Sequence, residues 1–240
     1  MHPSNPDHLP RLFVADDLAI NAPISLTPAQ THYLARVMRR GLGDAVRLFN
    51  GRDGEMLARL TDITRNSALC VPEVLLRPQE PEPDLWLAFA PLKREATEMV
   101  VEKATELGAT RLIPVLTARG VSQRINAERW QAIAIEAAEQ SERLSLPDIA
   151  EPVKLPALLA SWPVDRPLFA AIERTSASPI TAQAGPAGLL IGPEGGFAPD
   201  ELEFMRRHPF VIPASLGPRI LRAETAAIVG LALLQARNGG

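Results

Sequence analysis

The stretch LLIGPEGGFAPDELE, residues 189–203, sets an apolar run, Leu189-Leu190-Ile191, against Gly192-Pro193-Glu194-Gly195-Gly196 and then an acidic segment able to start a helix. Strand, glycine loop and helix in that order form the usual frame of a ligand pocket at the carboxyl end of a sheet. A second passage of the same kind, SLGPRILRAETA at 215–226, follows the apolar run FVIPAS. Working outward, LWLAFAPL, RLIPVLT and PLFAAIE are further short runs with no polar alternation, as expected of strands covered on both faces. Between them lie helical patterns. EATEMVVEKATEL is stopped by Gly108, AERWQAIAIEAAEQSE is capped by Asn126, and a last helix is expected from about Ala223 to Arg237. The alternation predicts an α/β domain with a parallel sheet covered by helices.

The composition changes at RPQEPEPD, residues 77–84, where three prolines and three acids in eight residues can bury little. Ahead of it the rhythm is that of strands. DAVRLFNGRDGEMLARL carries period-two alternation on either side of a glycine turn, a hairpin signal, and NSALCVPEVLL continues as a third strand. One helix interrupts them: Thr27 as N-cap, Pro28 in the first turn and Gln30 completing a capping box, with AQTHYLARVMRR running on to Gly41. The expected organisation is a small β-barrel over 1–75, a linker over 76–84 and the α/β domain over 85–240.

Bulk properties narrow the function. With 46% hydrophobic and 22% charged residues and a net charge of -3, the 240-residue chain has no global basic signature. Any nucleic-acid surface must therefore be local. Cys70 is the single cysteine and the four histidines are scattered, which predicts neither disulfide nor metal site. MHPSNPDHLPRLF lacks a signal-peptide pattern, and the apolar stretch Ala226–Leu234 is too short to span a bilayer, so no membrane role and a cytoplasmic location are expected.

The two glycine loops bear the candidate chemistry. Their spacing fits neither the dinucleotide fingerprint nor the P-loop, and Glu194 would repel phosphate, which favours a ligand with a positive centre and a flat heterocycle. In the second loop Arg219, Arg222 and Glu224 crowd a helix start. Arginines there oppose the helix dipole, so an external anion is the better account of them. A tight turn whose glycines merely permit positive φ is the plain alternative for the first loop.

LLIGPEGGF followed by LGPRILRAETA resembles the SPOUT methyltransferases, and among them the 16S rRNA uracil-N3 methyltransferase family. RLFV, HYLARVMRRGLGD, KREATEMVVEKATELGATRLIPVLTARG and EAAEQSERLSLPDI match in order, so the resemblance spans nearly the whole chain. It implies a PUA-like RNA-binding barrel followed by an α/β domain whose end passes through a trefoil knot, S-adenosylmethionine as cofactor, a homodimer, and 16S rRNA of the small ribosomal subunit as substrate. Leu190, Ile191, Gly192, Glu194, Gly195, Ser215, Leu216, Gly217, Ile220 and Leu221 would then border the cofactor. Uridine N3 becomes nucleophilic on losing its proton, leaving charge on O2 and O4 that a guanidinium stabilises. Arg222 is the candidate for that role, with Glu224 orienting it or relaying the proton. Glu139, Gln140, Arg143 and Arg219 are candidates for contacting the RNA.

Arg11, Arg36, Arg39 and Arg40 are candidate phosphate contacts in the first domain, although residues 1–80 hold nine arginines against nine acids and a solvated helix face is the plain reading. Two rival functions stand: a SPOUT enzyme for another position, such as a ribose 2′-hydroxyl, and a non-catalytic RNA-binding adaptor.

Overall fold

The computed structural model describes residues 8–121, 125–172 and 177–236. The chain forms two units, Met1–Pro81 with Ala138–Leu146, and Glu82–Ala137 with Pro147–Gly240. It therefore passes from one unit to the other three times, where a linear division allows one crossing.

In the first unit, β1 (Arg11–Phe13), β2 (Ile24–Leu26), β3 (Ala45–Phe49), β4 (Glu55–Ile63) and β5 (Ala68–Arg77) form one sheet in the order β1-β3-β4-β5-β2. The β3–β4 pair is the expected hairpin, with Val46 opposite Ala58 and Leu48 opposite Met56. Its turn is closed by the Asn50 Oδ1 atom, which accepts from the amides of Arg52 and Asp53, and Gly51 and Gly54 take positive φ there. Leu12, Leu34, Val46, Leu48, Leu60 and Cys70 fill the interior.

Helix α1 (Pro28–His32) begins with the expected capping box of Thr27 and Gln30. It does not run on to Gly41. The backbone widens into a π-helical turn over Tyr33–Val37, which ends where the Met38 amide donates to the Tyr33 carbonyl, five residues back. The wide turn keeps Leu34 fully buried. Arg39 then takes a left-handed φ of 53° and carries Arg40 off the helix axis.

The second unit holds a seven-stranded sheet, all of whose pairings are parallel: β6 (Leu85–Phe89), β7 (Arg111–Leu116), β8 (Asp148–Ile149), β9 (Val153–Lys154), β10 (Leu168–Ala170), β11 (Ala187–Ile191) and β12 (Val211–Pro213). The main order is β12-β10-β11-β6-β7-β8. Alternate side chains serve opposite faces. Leu87, Phe89, Leu189 and Ile191 join one core, together with α2 (Arg94–Glu106), the early turns of α3 (Ala127–Ser141) and α6 (Ala223–Gln235). Ala88 and Leu190 join the other, together with α4 (Leu155–Ser161) and α5 (Pro199–Arg206). This is the covered parallel sheet the apolar runs imply. Gly230 of α6 lies so near the sheet that a Cβ there would stand 2.6 Å from Leu189 Cδ2.

Three elements escape the sequence pattern. The β8 and β9 strands are two residues each, too short for any periodicity, and α4 is a seven-residue helix with Pro156 in its first turn. The crossover from β10 to β11 also meets the chain's last segment twice. The Ser215 amide donates to the Ser178 carbonyl at 3.0 Å and the Gln183 amide to the Leu234 carbonyl at 2.9 Å.

Candidate functional site

Because the strands run parallel, the turns after β6, β7, β10, β11 and β12 all emerge at one edge of the sheet, the edge where doubly wound folds bind ligands. The two glycine loops share that edge. They do not follow adjacent strands, since β10 lies between β11 and β12. The Ala171 amide donates to Leu190 O at 3.1 Å and the Ala214 amide to Ala170 O at 2.8 Å, so the three strand ends are laced together. Leu216 and Leu221 of the second loop pack against the same core as Ile191 of the first.

Each glycine has its own reason. A Cβ on Gly192 would meet Phe197 Cε2 at 2.8 Å, so this glycine makes room for the loop's own buried ring. Gly196 (φ 64°) and Gly217 (φ 110°) hold left-handed backbone, and nothing stands within 4 Å of a Cβ on either. Gly217 lies open at the edge, with its amide on Ser215 Oγ at 3.3 Å.

Two side chains that sequence reading passes over hold the first loop. Glu201, in the first turn of α5, accepts the Ala198 amide with one carboxylate oxygen and the Ala118 amide with the other, both at 2.8 Å. It thereby ties the turn after β7 to the loop after β11. Arg119 Nη1 donates to Gly195 O at 3.1 Å and reinforces the tie. The signal for Glu201 is a glutamate three residues past a helix N-cap; the Ala118 partner, 83 residues away, leaves no trace in sequence.

Of the sequence candidates at this edge, Glu194, Gly195, Arg219, Ile220 and Arg222 are exposed, and Gly192, Leu216, Gly217, Leu221 and Glu224 are half-buried. Arg219, Arg222 and Glu224 form no ion pair with any other described residue, so no bond joins Arg222 to Glu224. Ile220, 77% exposed, is a large apolar side chain with nothing over it. Ser215 is buried and bridges to Pro179. Leu190 is a correction: its side chain lies in the opposite core and its carbonyl is taken by Ala171, so it supports the loop from below.

Other candidates stand elsewhere. Glu139, Gln140 and Arg143 belong to the first unit, where the end of α3 docks on the sheet. Arg11 is buried, bonded to the Glu55 carboxylate and to the carbonyl of Ala138, and donates to Arg143 O at 2.6 Å. Its guanidinium lies 3.7 Å from the Phe49 ring centroid. Arg11 is thus a helix C-cap and core ion pair, and the expectation of a phosphate contact there is overturned. Arg143 is likewise buried, with Nε on Ser145 Oγ at 3.3 Å. The Glu139 carboxylate is half-buried and accepts the Phe13 amide at 2.9 Å through one oxygen. Gln140 stays exposed. Glu55, also buried, receives Arg77 Nε at 3.0 Å and faces Arg47 at 3.7 Å, and Arg47 pairs with Glu142 at 2.8 Å. The Arg47 bond holds the Glu142 carboxyl below its usual range.

Residues 79–235 match the family model described as RNA methyltransferase domain, and residues 26–73 match RNA methyltransferase PUA domain. Ribosomal RNA small subunit methyltransferase E of Rickettsia conorii is 36% identical over 92% of this chain and 93% of its own length. The chain belongs to the ribosomal RNA small subunit methyltransferase E family. The Synechocystis protein of that name is 37% identical over 94% of this chain and 77% of its own. Among solved structures, the member from Neisseria gonorrhoeae bound to S-adenosyl methionine superposes with a TM-score of 0.83 at 26% identity, over 94% of this chain and 96% of the other. A Legionella pneumophila methyltransferase structure with bound SAM gives 0.85 at 30%, covering 95% and 98%. The family's PUA and methyltransferase portions thus correspond to the sheet of the first unit and to the parallel sheet of the second. Among the described residues no cluster suited to a metal and no helix long and apolar enough to cross a membrane occurs.

Proposed function

We propose that this protein is an S-adenosylmethionine-dependent methyltransferase acting on N3 of one uridine in 16S rRNA of the small ribosomal subunit. The observation that carries the reading is the pair of glycine loops on one sheet edge, the second presenting Arg219 and Arg222 without carboxylate partners. Family membership and the S-adenosylmethionine bound by the Neisseria member support it.

The residues fit that cofactor. Gly196 and Gly217 leave the backbone bare on the open side, Leu216, Ile220 and Leu221 offer apolar walls, and Glu194 suits a cation. When bound, the cofactor supplies an electrophilic methyl carbon on a sulfonium. Leu216, Gly217 and the backbone of Ile191 and Gly192 would hold its base and sugar, and the second loop would exclude water. Arg222 stabilises the negative charge that spreads over O2 and O4 once N3 is deprotonated. Glu224, half-buried at the start of α6, takes or relays that proton. Arg219, Gln140, Arg36 and Arg40 bind the RNA. A homodimer accounts for the exposed Ile220, and a cytoplasmic location follows from the substrate. We also infer the trefoil knot, on the strength of the backbone bonds from the 177–186 crossover to Ser215 and Leu234.

The test is nucleoside mass spectrometry of small subunits, taken from a strain lacking this gene, after incubation with the protein and S-adenosylmethionine. N3-methyluridine is the expected product. A ribose-methylated nucleoside would replace this reading with 2′-hydroxyl methylation, and no product with intact cofactor binding would leave an RNA-binding adaptor. Arg222→Ala should lower kcat about a hundredfold, the usual loss of one preorganised charge-stabilising donor, with cofactor affinity kept.

A further inference from the structure

The nine arginines of residues 1–81 fall into two groups. Arg11, Arg47, Arg52, Arg59 and Arg77 each pair with a carboxylate. Arg36, Arg39, Arg40 and Arg65 pair with none among the described residues. Three of those four, Arg36, Arg40 and Arg65, line a single surface cavity of about 860 Å³, together with His32, Thr64 and Asn66. No acid lines it. Arg36 comes from the π-helical turn, Arg40 from the left-handed exit after it, and Arg65 from the turn between β4 and β5. Two elements about 30 residues apart therefore face each other with cations only. Arg40 Nε is buried yet lacks a hydrogen-bond partner. Three guanidiniums without carboxylate partners that line one cavity repel one another, a cost that a bound anion removes.

We propose that this cleft is a phosphodiester-binding site for the RNA strand, with Arg36 and Arg40 on one wall and Arg65 on the other gripping the backbone. The proposal rests on the RNA-methyltransferase reading and deepens it. It adds Arg65, absent from the sequence candidates, and removes Arg39, which lies outside the cleft although it is as exposed as Arg36. The cavity is within the ~300–1,000 Å³ range of sites that enclose a ligand group. Its lining is suited to phosphate oxygens and sugar hydroxyls, with donors from the guanidinium groups and the Asn66 amide. Its lining holds no Phe, Tyr or Trp on which a base would stack.

The test measures methylation kinetics on small ribosomal subunits as a function of salt. The triple variant Arg36→Ala/Arg40→Ala/Arg65→Ala should raise KM at least about tenfold at low salt and reduce the log–log salt slope by about two, since each single-strand phosphate contact contributes roughly 0.7. Its kcat at saturating subunits and its cofactor affinity should stay at wild-type values. The triple lysine variant keeps the charges and should keep the slope. Arg39→Ala should behave as wild type. An Arg39→Ala effect equal to that of a single cleft arginine overturns the cleft in favour of diffuse electrostatics. A triple alanine variant with unchanged KM and slope overturns it while leaving the methyltransferase reading intact, and a wild-type protein that methylates no subunit overturns both.

Discussion

Removing the Glu201 carboxylate should loosen the first glycine loop without touching any residue that borders the cofactor. Its two oxygens each hold a backbone amide at 2.8 Å, one on the turn after β7 and one at the start of α5. Hydrogen bonds to a charged group contribute about 1.5–3 kcal/mol when buried. Glu201 is half-buried, so about 1 kcal/mol each is the reasonable figure, or about 2 kcal/mol for Glu201→Ala. That corresponds to roughly a thirtyfold shift toward an open loop. Glu201→Gln retains one neutral acceptor and should lose about half that free energy, roughly fivefold. Calorimetric titration with S-adenosylmethionine should register both losses in that order. Amide hydrogen exchange should quicken at Ala118 as well as at Ala198. A helix cap acting only within α5 would lower the melting temperature and expose Ala198 alone. Unchanged exchange at Ala118 together with a cofactor Kd within twofold of wild type would refute the bridging role.

Three further outcomes are expected. Gly188→Ala would drive a Cβ against the Trp162 ring, with Cη2 at 2.6 Å and Cζ2 nearer, and that ring is fixed by its bond to Arg166 O; chemical denaturation should show a loss of about 3 kcal/mol. Asp84, bonded to Arg166, has its carboxyl held below the ordinary value of 3.8, so the stability it adds is present above that pH and fades as pH falls through the lower folded-state value. Denaturation of Asp84→Asn should accordingly show a deficit at neutral pH that narrows below pH 3.8. Burial pushes the Cys70 thiol up to about 12, so iodoacetamide at about pH 8 should label it only when the first unit unfolds, and labelling of the native protein at the rate of a free thiol would contradict the burial.

The sheet of the second unit was legible because its strands are apolar on both faces, and the glycine loops because Gly and Pro punctuate them. The order of the strands was not. Nothing local to FVIPAS records that β12 pairs with β10 rather than β11, since parallel pairing is decided by crossovers. Helix α1 was placed at its start by the Thr27–Gln30 box, whereas its end depended on burying Leu34, a demand of the tertiary core. Arg11 illustrates the same limit. Its surroundings in sequence, HLPRLF, give no hint of carbonyls at 138 and 143, and the same guanidinium reads equally well as a phosphate ligand until its partners are known.

The return of residues 138–146 to the first unit makes the protein impossible to dissect with one cut. A fragment ending at Pro81 would leave Glu55 and Arg11 without the peptide that closes over them, and a fragment beginning at Glu82 would carry that peptide with no seat for it. During synthesis the amino-terminal sheet must wait, incompletely sealed, until residue 146 has left the ribosome. A lineage that exchanged this sheet for another would have to exchange the tail of α3 with it.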